Sequence, residues 1–167
     1  MAIRAMLAAG PNMGFLSTPS IHGKAAAGAT DGAWLKGAVA VGTVAPGALG
    51  FVKKGGTDPA GIIGVFEQDG PQAADSQTLV RMVPAIPGVV FEGSIGGASA
   101  ATPVNSADGH LWQEYGISET ANLWRIDTSK TGATGRVRVC GFRDPVGTPD
   151  GRVFFTFTID GTVWGVT

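Results

Sequence analysis

The residue types that carry most enzyme chemistry are sparse in this chain and stand apart from one another. His22 and His110 sit alone in stretches that read as loops, and Cys140 has no partner at metal-ligand spacing. The expectation is two surface histidines, a core thiol, no metal and no cofactor. Gly23-Lys24 is followed by Ala25 rather than Ser or Thr, and Thr18 stands where a phosphate-binding loop needs its first glycine. Ser94 lies in Gly93-Ser94-Ile95-Gly96, one residue short of a nucleophile elbow. Asp58, Asp69, Asp75, Asp108 and Asp150 adjoin Gly, Pro, Ser or Ala, where carboxylates ordinarily cap turn amides. No D-x-D-x-D-G calcium loop occurs. Glu67, Glu92, Glu114, Glu119 and Asp127 are acid–base candidates by type alone. These residues predict a protein that is not an enzyme.

A second kind of chemistry is contact. Trp112, Tyr115 and Trp124 would suit a sugar platform, although aromatics in β proteins more often fill the core. Arg136 and Arg138 share one face of a strand opposite Val137 and Val139. Phe154 falls between Arg152 and Thr156 on an outward face, the pattern of a subunit contact.

The element that must present these groups is Arg136 to Thr158, two strands joined by a loop rich in Asp, Pro and Gly. Val153, Phe155, Phe157 and Ile159 alternate with Arg152, Phe154, Thr156 and Thr158, so one set faces a core. Asp160-Gly161 predicts a type I′ turn, with Thr162 to Val166 folding back so that Trp164 meets Phe157 and Val166 meets Phe155.

Upstream, further short strands are expected at Trp34–Val41, Ala48–Lys53, Gly61–Glu67, Gln77–Val83, Val89–Ile95 and Leu123–Asp127. Leu111 to Ser118 reads as strand or turn, and prolines at Pro84 and Pro87 keep their corner out of the ladder. Ala2 to Ala9 suits two helical turns, stopped by Gly10-Pro11. From there to Gly32 the chain is Gly, Ser, Thr, Pro and Ala with isolated Phe15, Leu16 and Ile21, the anchor points of an arm or a frayed terminus. The expected fold is all-β: a compact β-barrel or β-sandwich of about nine to ten short strands over residues 33–167, preceded by an extended N-terminal arm over residues 1–32.

Composition supports this. The 167 residues carry a net charge of −1, which gives no electrostatic reason to bind nucleic acid. Charged residues are only 15%, so part of the surface is expected to be covered by other copies or a partner. The 27 glycines and 10 prolines follow no period and mark turns. No run approaches the length of a membrane span, and the N-terminal apolar run is at the short limit for a signal peptide.

The second half of the chain resembles the capsid decoration, or cement, proteins of tailed bacteriophages. The resemblance is carried by Gly61-Ile62-Ile63-Gly64-Val65-Phe66, Val83 to Glu92 (VPAIPGVVFE), Tyr115-Gly116-Ile117 and Leu123-Trp124-Arg125-Ile126-Asp127. Arg136 to Thr148 (RVRVCGFRDPVGT) and Gly151-Arg152-Val153-Phe154-Phe155 complete it. It implies a structural virion protein that is made in the host cytoplasm and located on the capsid surface. It also implies a β-barrel or tulip-like body, the major capsid protein as partner, and self-association, a homotrimer being favoured over a homodimer. An N-terminal arm lying on neighbouring shell subunits is implied as well. The alternative reading is a carbohydrate-binding β-sandwich of a phage tail or spike.

Overall fold

The computed structural model describes residues 4–7, 21–25, 36–42, 51–70, 79–86, 88–97, 104–120, 123–132 and 135–162. These form eleven strands: β1 (Arg4–Leu7), β2 (Ile21–Ala25), β3 (Val39–Gly42), β4 (Phe51–Lys54), β5 (Ile62–Phe66), β6 (Leu79–Pro84), β7 (Val89–Gly96), β8 (Glu114–Thr120), β9 (Leu123–Thr131), β10 (Val137–Phe142) and β11 (Arg152–Phe157). The protein is all-β.

Five strands close a barrel in the order β2-β4-β3-β5-β6, with β2 parallel to β4 and antiparallel to β6. The other six form a sheet in the order β1-β7-β11-β10-β8-β9. Within it β9 also pairs in parallel with β7, so the pairings from β7 through β11, β10, β8 and β9 return to β7 in a ring.

Alternation along the strands explains why they bury what they bury. On β11 Val153, Phe155 and Phe157 point inward, while Arg152, Phe154 and Thr156 remain partly exposed. Phe155 stands opposite Val139 on one side and Phe91 on the other. The rings of Phe91, Phe155 and Phe157 pack with centroids 4.9–5.7 Å apart, a stacked pair and two edge-on pairs. Trp124 and Ile126 of β9 and Val137 and Val139 of β10 are buried on the same principle. Val39, Ile62, Val65, Phe66, Val80 and Met82 supply the barrel's share of the core.

Several expectations need correction. Ala2–Ala9 is not helical where described: β1 lies antiparallel along β7, Arg4 opposite Glu92 and Leu7 opposite Val89. Pairing with an available sheet edge overrides the helix propensity of Ala, Met and Leu. Pro84 lies inside the ladder, opposite Gly64. Its missing N–H is tolerated because it is the last residue of β6. Asp160-Gly161 forms no type I′ turn, because neither residue adopts positive φ. Ile159–Gly161 is instead a right-handed 3-10 turn, which carries Thr162 to a parallel bridge with Ile62. Ile159 is consequently 59% exposed rather than in the core. The expected pairings of Trp164 and Val166 lie outside the described residues.

Both β1 and β2 fall within the stretch expected as an arm, and both are hydrogen-bonded into the sheets. Ile21 packs against the core from β2, whereas Phe15 and Leu16 lie outside the described residues.

Candidate functional site

The outward face of β8, β10 and β11 carries the residues singled out for contact. Arg138 is cross-strand neighbour to Glu114 on β8 and Thr156 on β11, and its guanidinium is ion-paired with Glu114. Beside this pair, Thr156, Phe157, Thr158, Ile159 and Asp160 complete the wall of an open recess of about 260 Å³. Its lining is mixed: the Arg138–Glu114 ion pair, two threonines, the Asp160 carboxylate, Phe157 and the exposed Ile159.

Arg136 enters differently. Its backbone N–H donates to the Tyr115 carbonyl, its own carbonyl accepts from Thr158 N–H, and its side chain lies against Gly161. Its Nε is buried without a hydrogen-bond partner among the described residues. Arg136 is therefore partly internal, whereas Arg138 reaches the surface.

Arg152 is tied up by the protein itself. Nε and Nη2 donate to the two oxygens of Asp144 at 2.8 and 2.6 Å, and the Arg152 backbone N–H donates to the same carboxylate at 2.9 Å. The hydrogen bonds from Arg152 hold the Asp144 carboxyl at about 2, well below its usual range, and raise the guanidinium in turn. Arg152 Nη1 also lies 3.6 Å from Glu92, which Arg143 contacts at 2.9 Å. Glu92 is buried, so these two cations compensate a carboxylate that would be costly alone. Phe154 is half-buried over Gly141 of β10, its ring filling the space a side chain there would take.

The three candidate platform aromatics separate. Trp124 is in the core and Tyr115 is buried, while Trp112 is 63% exposed. Trp112 has φ of 64°, a left-handed conformation that costs a bulky residue about 1–2 kcal/mol. It is held there by a backbone hydrogen bond from its N–H to the Val139 carbonyl. His110, just before it, packs edge-on against Tyr115. Partial burial lowers the His110 pKa, and its Nδ1 accepts a hydrogen bond from Ala107 N–H.

Cys140 is not a core thiol. It sits half-buried at a register slip between β10 and β11, and burial raises its pKa, away from a reactive thiolate. Several of the candidate carboxylates are instead engaged with separate partners. Glu67 faces Arg81, Glu119 faces Lys54, Asp150 holds Arg125 bidentately, and Asp69 accepts from Lys36 N–H. Ser94 lies in a buried strand, without the strand-to-helix turn that exposes a nucleophile. Among the described residues no three His, Cys, Asp or Glu side chains group to hold a metal, and no helix is long and apolar enough to cross a membrane.

Two groupings escaped the sequence reading: Glu92 with Arg143 and Arg152, and Lys130 with Asp58 and Asp127. Each is completed by a residue from a remote segment, Glu92 in the first and Asp58 in the second. No protein-family model, curated protein or solved structure matches the chain.

Proposed function

We propose that this protein is a structural component of a tailed-phage virion that binds the outside of the capsid and stabilises the expanded shell. The observation that carries the reading is the β8–β10–β11 face. There a shallow recess bordered by Arg138, Glu114 and Asp160 lies beside exposed Ile159, on strands whose opposite side is packed core. A rigid sheet that offers a mixed polar and apolar surface is suited to protein contact, where apolar anchors carry most of the binding energy. The likeness of Gly61–Phe66, Val83–Glu92 and Arg136–Phe155 to decoration proteins points the same way.

In this reading the major capsid protein and further copies of the chain, a homotrimer in preference to a homodimer, are the partners. Binding only the expanded lattice stabilises it by RT ln(1 + [L]/Kd) per site, and many sites on one shell act together. The residues before position 33 would supply an arm to neighbouring subunits.

The test is to purify heads assembled with and without the protein and compare their heat release of genome. Heads should carry the protein and withstand higher temperature with it. Ile159→Asp and Arg138→Glu should weaken the association while leaving thermal unfolding of the free protein nearly unchanged. Heads that exclude the protein, or are equally stable without it, would refute the proposal.

A second reading, a glycan-binding module of a tail or spike, is favoured by one feature: Trp112 is held out to solvent by a fixed backbone. Trp124 has no place in it, being buried. Trp112→Ala should then abolish binding on a glycan array without altering the melting curve.

A further inference from the structure

The loop between β4 and β5 belongs to the barrel, yet it is laced onto β8 of the other sheet. Asp58 N–H donates to the Ile117 carbonyl at 2.8 Å, and Ile117 N–H donates to Asp58 Oδ1 at 2.9 Å. Thr57 Oγ1 repeats the exchange with Glu119. Asp58 Oδ2 is thereby left facing Lys130 Nζ at 2.7 Å.

Four departures from regular structure meet at that contact. Between β8 and β9 the register slips: Gly116 is opposite Asp127, but Tyr115 is opposite Thr131, so residues 128–130 bulge from β9. The bulge brings Lys130 back over Gly116. A Cβ on Gly116 would collide with Asp58 Oδ1 and lie 2.9 Å from Lys130 Cβ, so only glycine leaves room for the pair. Asp58 itself has φ of 50°, a left-handed turn conformation that aspartate adopts more readily than most residues. Finally, Asp127 is 0% exposed. Its Oδ1 accepts from Ser129 N–H and Oγ, while Oδ2 has no hydrogen-bond partner among the described residues and lies 4.0 Å from Lys130 Nζ. An exposed ion pair contributes about 0–1 kcal/mol and needs neither a bulge nor a buried second carboxylate. Strain and unpaired buried groups concentrate where a site does chemistry.

We propose that Lys130 and Asp58 condense to an intramolecular amide, with Asp127 as the proton relay. Proton transfer along the 2.7 Å contact converts the ammonium–carboxylate pair into amine and carboxylic acid. The amine nitrogen attacks Asp58 Cγ, forming the Nζ–Cγ bond. Asp127 Oδ2 takes a proton from that nitrogen and returns it to the departing hydroxyl. The Cγ–Oδ2 bond breaks and one water leaves, through the side on which Lys130 is one-third exposed. Nothing is oxidised or reduced, and no co-reactant is required. Holding the reacting groups in contact supplies the effective concentration that an uncatalysed condensation in water lacks. The product joins the barrel to the second sheet covalently.

Intact-mass measurement of the full chain, purified at neutral pH without heating, tests this. The protein should be one water lighter than its sequence, and digestion should give one branched peptide containing Asp58 and Lys130. Lys130→Arg and Asp58→Ala should have the full sequence mass. Asp127→Asn should also have the full mass while still melting cooperatively. An unmodified wild-type mass overturns the proposal. So does a lost water that persists in Lys130→Arg, which would mark cyclisation at an Asp-Gly step instead. If Lys130→Arg fails to fold, the presence or absence of the branched peptide in the wild type decides. Bond formation in Asp127→Asn at the wild-type rate would remove Asp127 from the mechanism.

Discussion

The two adjacent phenylalanines of β11 offer a severe test of the strand's orientation. Phe155 is fully buried between Val139 and Phe91 and packs its ring against Phe91 and Phe157 at centroid distances of 5.7 and 5.5 Å. Its truncation to alanine removes a large buried side chain and leaves a cavity the surrounding strands cannot close, at a cost of about 3–5 kcal/mol. Phe154 is only half-buried, lying over Gly141 on the opposite face. Full burial of such a ring contributes about 1.5–3 kcal/mol, so Phe154→Ala should cost roughly 1 kcal/mol. For a chain of this size each kcal/mol lowers the melting temperature by about 2–4 °C, giving a drop of about 6–20 °C for Phe155→Ala against about 2–4 °C for Phe154→Ala. Urea titration followed by tryptophan fluorescence measures both, with unchanged m-values confirming that the comparison is one of stability. Equal losses, or the larger loss at Phe154, would show the strand facing the other way and would refute the assignment of inner and outer faces.

Asp144 gives a pH dependence of known sign. Its carboxyl titrates at about 2 in the folded protein against 3.8 ordinarily, so folding favours its ionised form. That contribution is complete above the ordinary value and is lost as the pH falls from about 4 toward 2; Asp144→Asn should flatten the acid limb of stability in that window alone. Gly64→Ala should be among the most damaging small substitutions, because its Cβ would collide with the Val83 carbonyl oxygen across the β5–β6 ladder. A loss of about 3 kcal/mol or more in urea titration is expected, and one below about 1 kcal/mol would mean that the strands do not approach so closely. Trp112→Gly should leave the fold as stable as before, or up to about 1–2 kcal/mol more stable, since a largely exposed ring is lost and left-handed strain relieved. Differential scanning calorimetry distinguishes this from the marked destabilisation that a packed Trp112 would produce.

Much of the second sheet is legible in the amino-acid order. Val153, Phe155 and Phe157, Val137 and Val139, and Trp124 and Ile126 are recognisable as inward sets, because alternation is a property of the extended chain itself. The same rule fails two residues beyond β11. Ile159 continues the alternation but is exposed, since the chain turns through right-handed φ angles at Asp160-Gly161 and leaves the sheet. Local propensity also misleads at β1, where Arg-Ala-Met-Leu becomes strand by pairing with β7. Of the candidate contacts, Arg138 stands at the surface as its alternation implies. Arg152 has the same parity as Phe154, yet it is committed to Asp144, eight residues earlier, and to Glu92, on another strand.

The sequence by itself determined that this protein is all-β, which faces of its last strands are apolar, and that its chemistry-bearing residues are few and unclustered along the chain. Those are consequences of composition and of a two-residue period, both of which act over a handful of bonds. The tertiary structure alone decided that five strands close into a barrel with β2 parallel to β4, and that the second set of pairings returns to β7. It alone placed Lys130 between Asp58 and Asp127, and Trp112 in solvent while Trp124 is enclosed. These features depend on which strand edges remain available and which groups share a buried volume. Both are properties of segments far apart in sequence, and no local pattern encodes them.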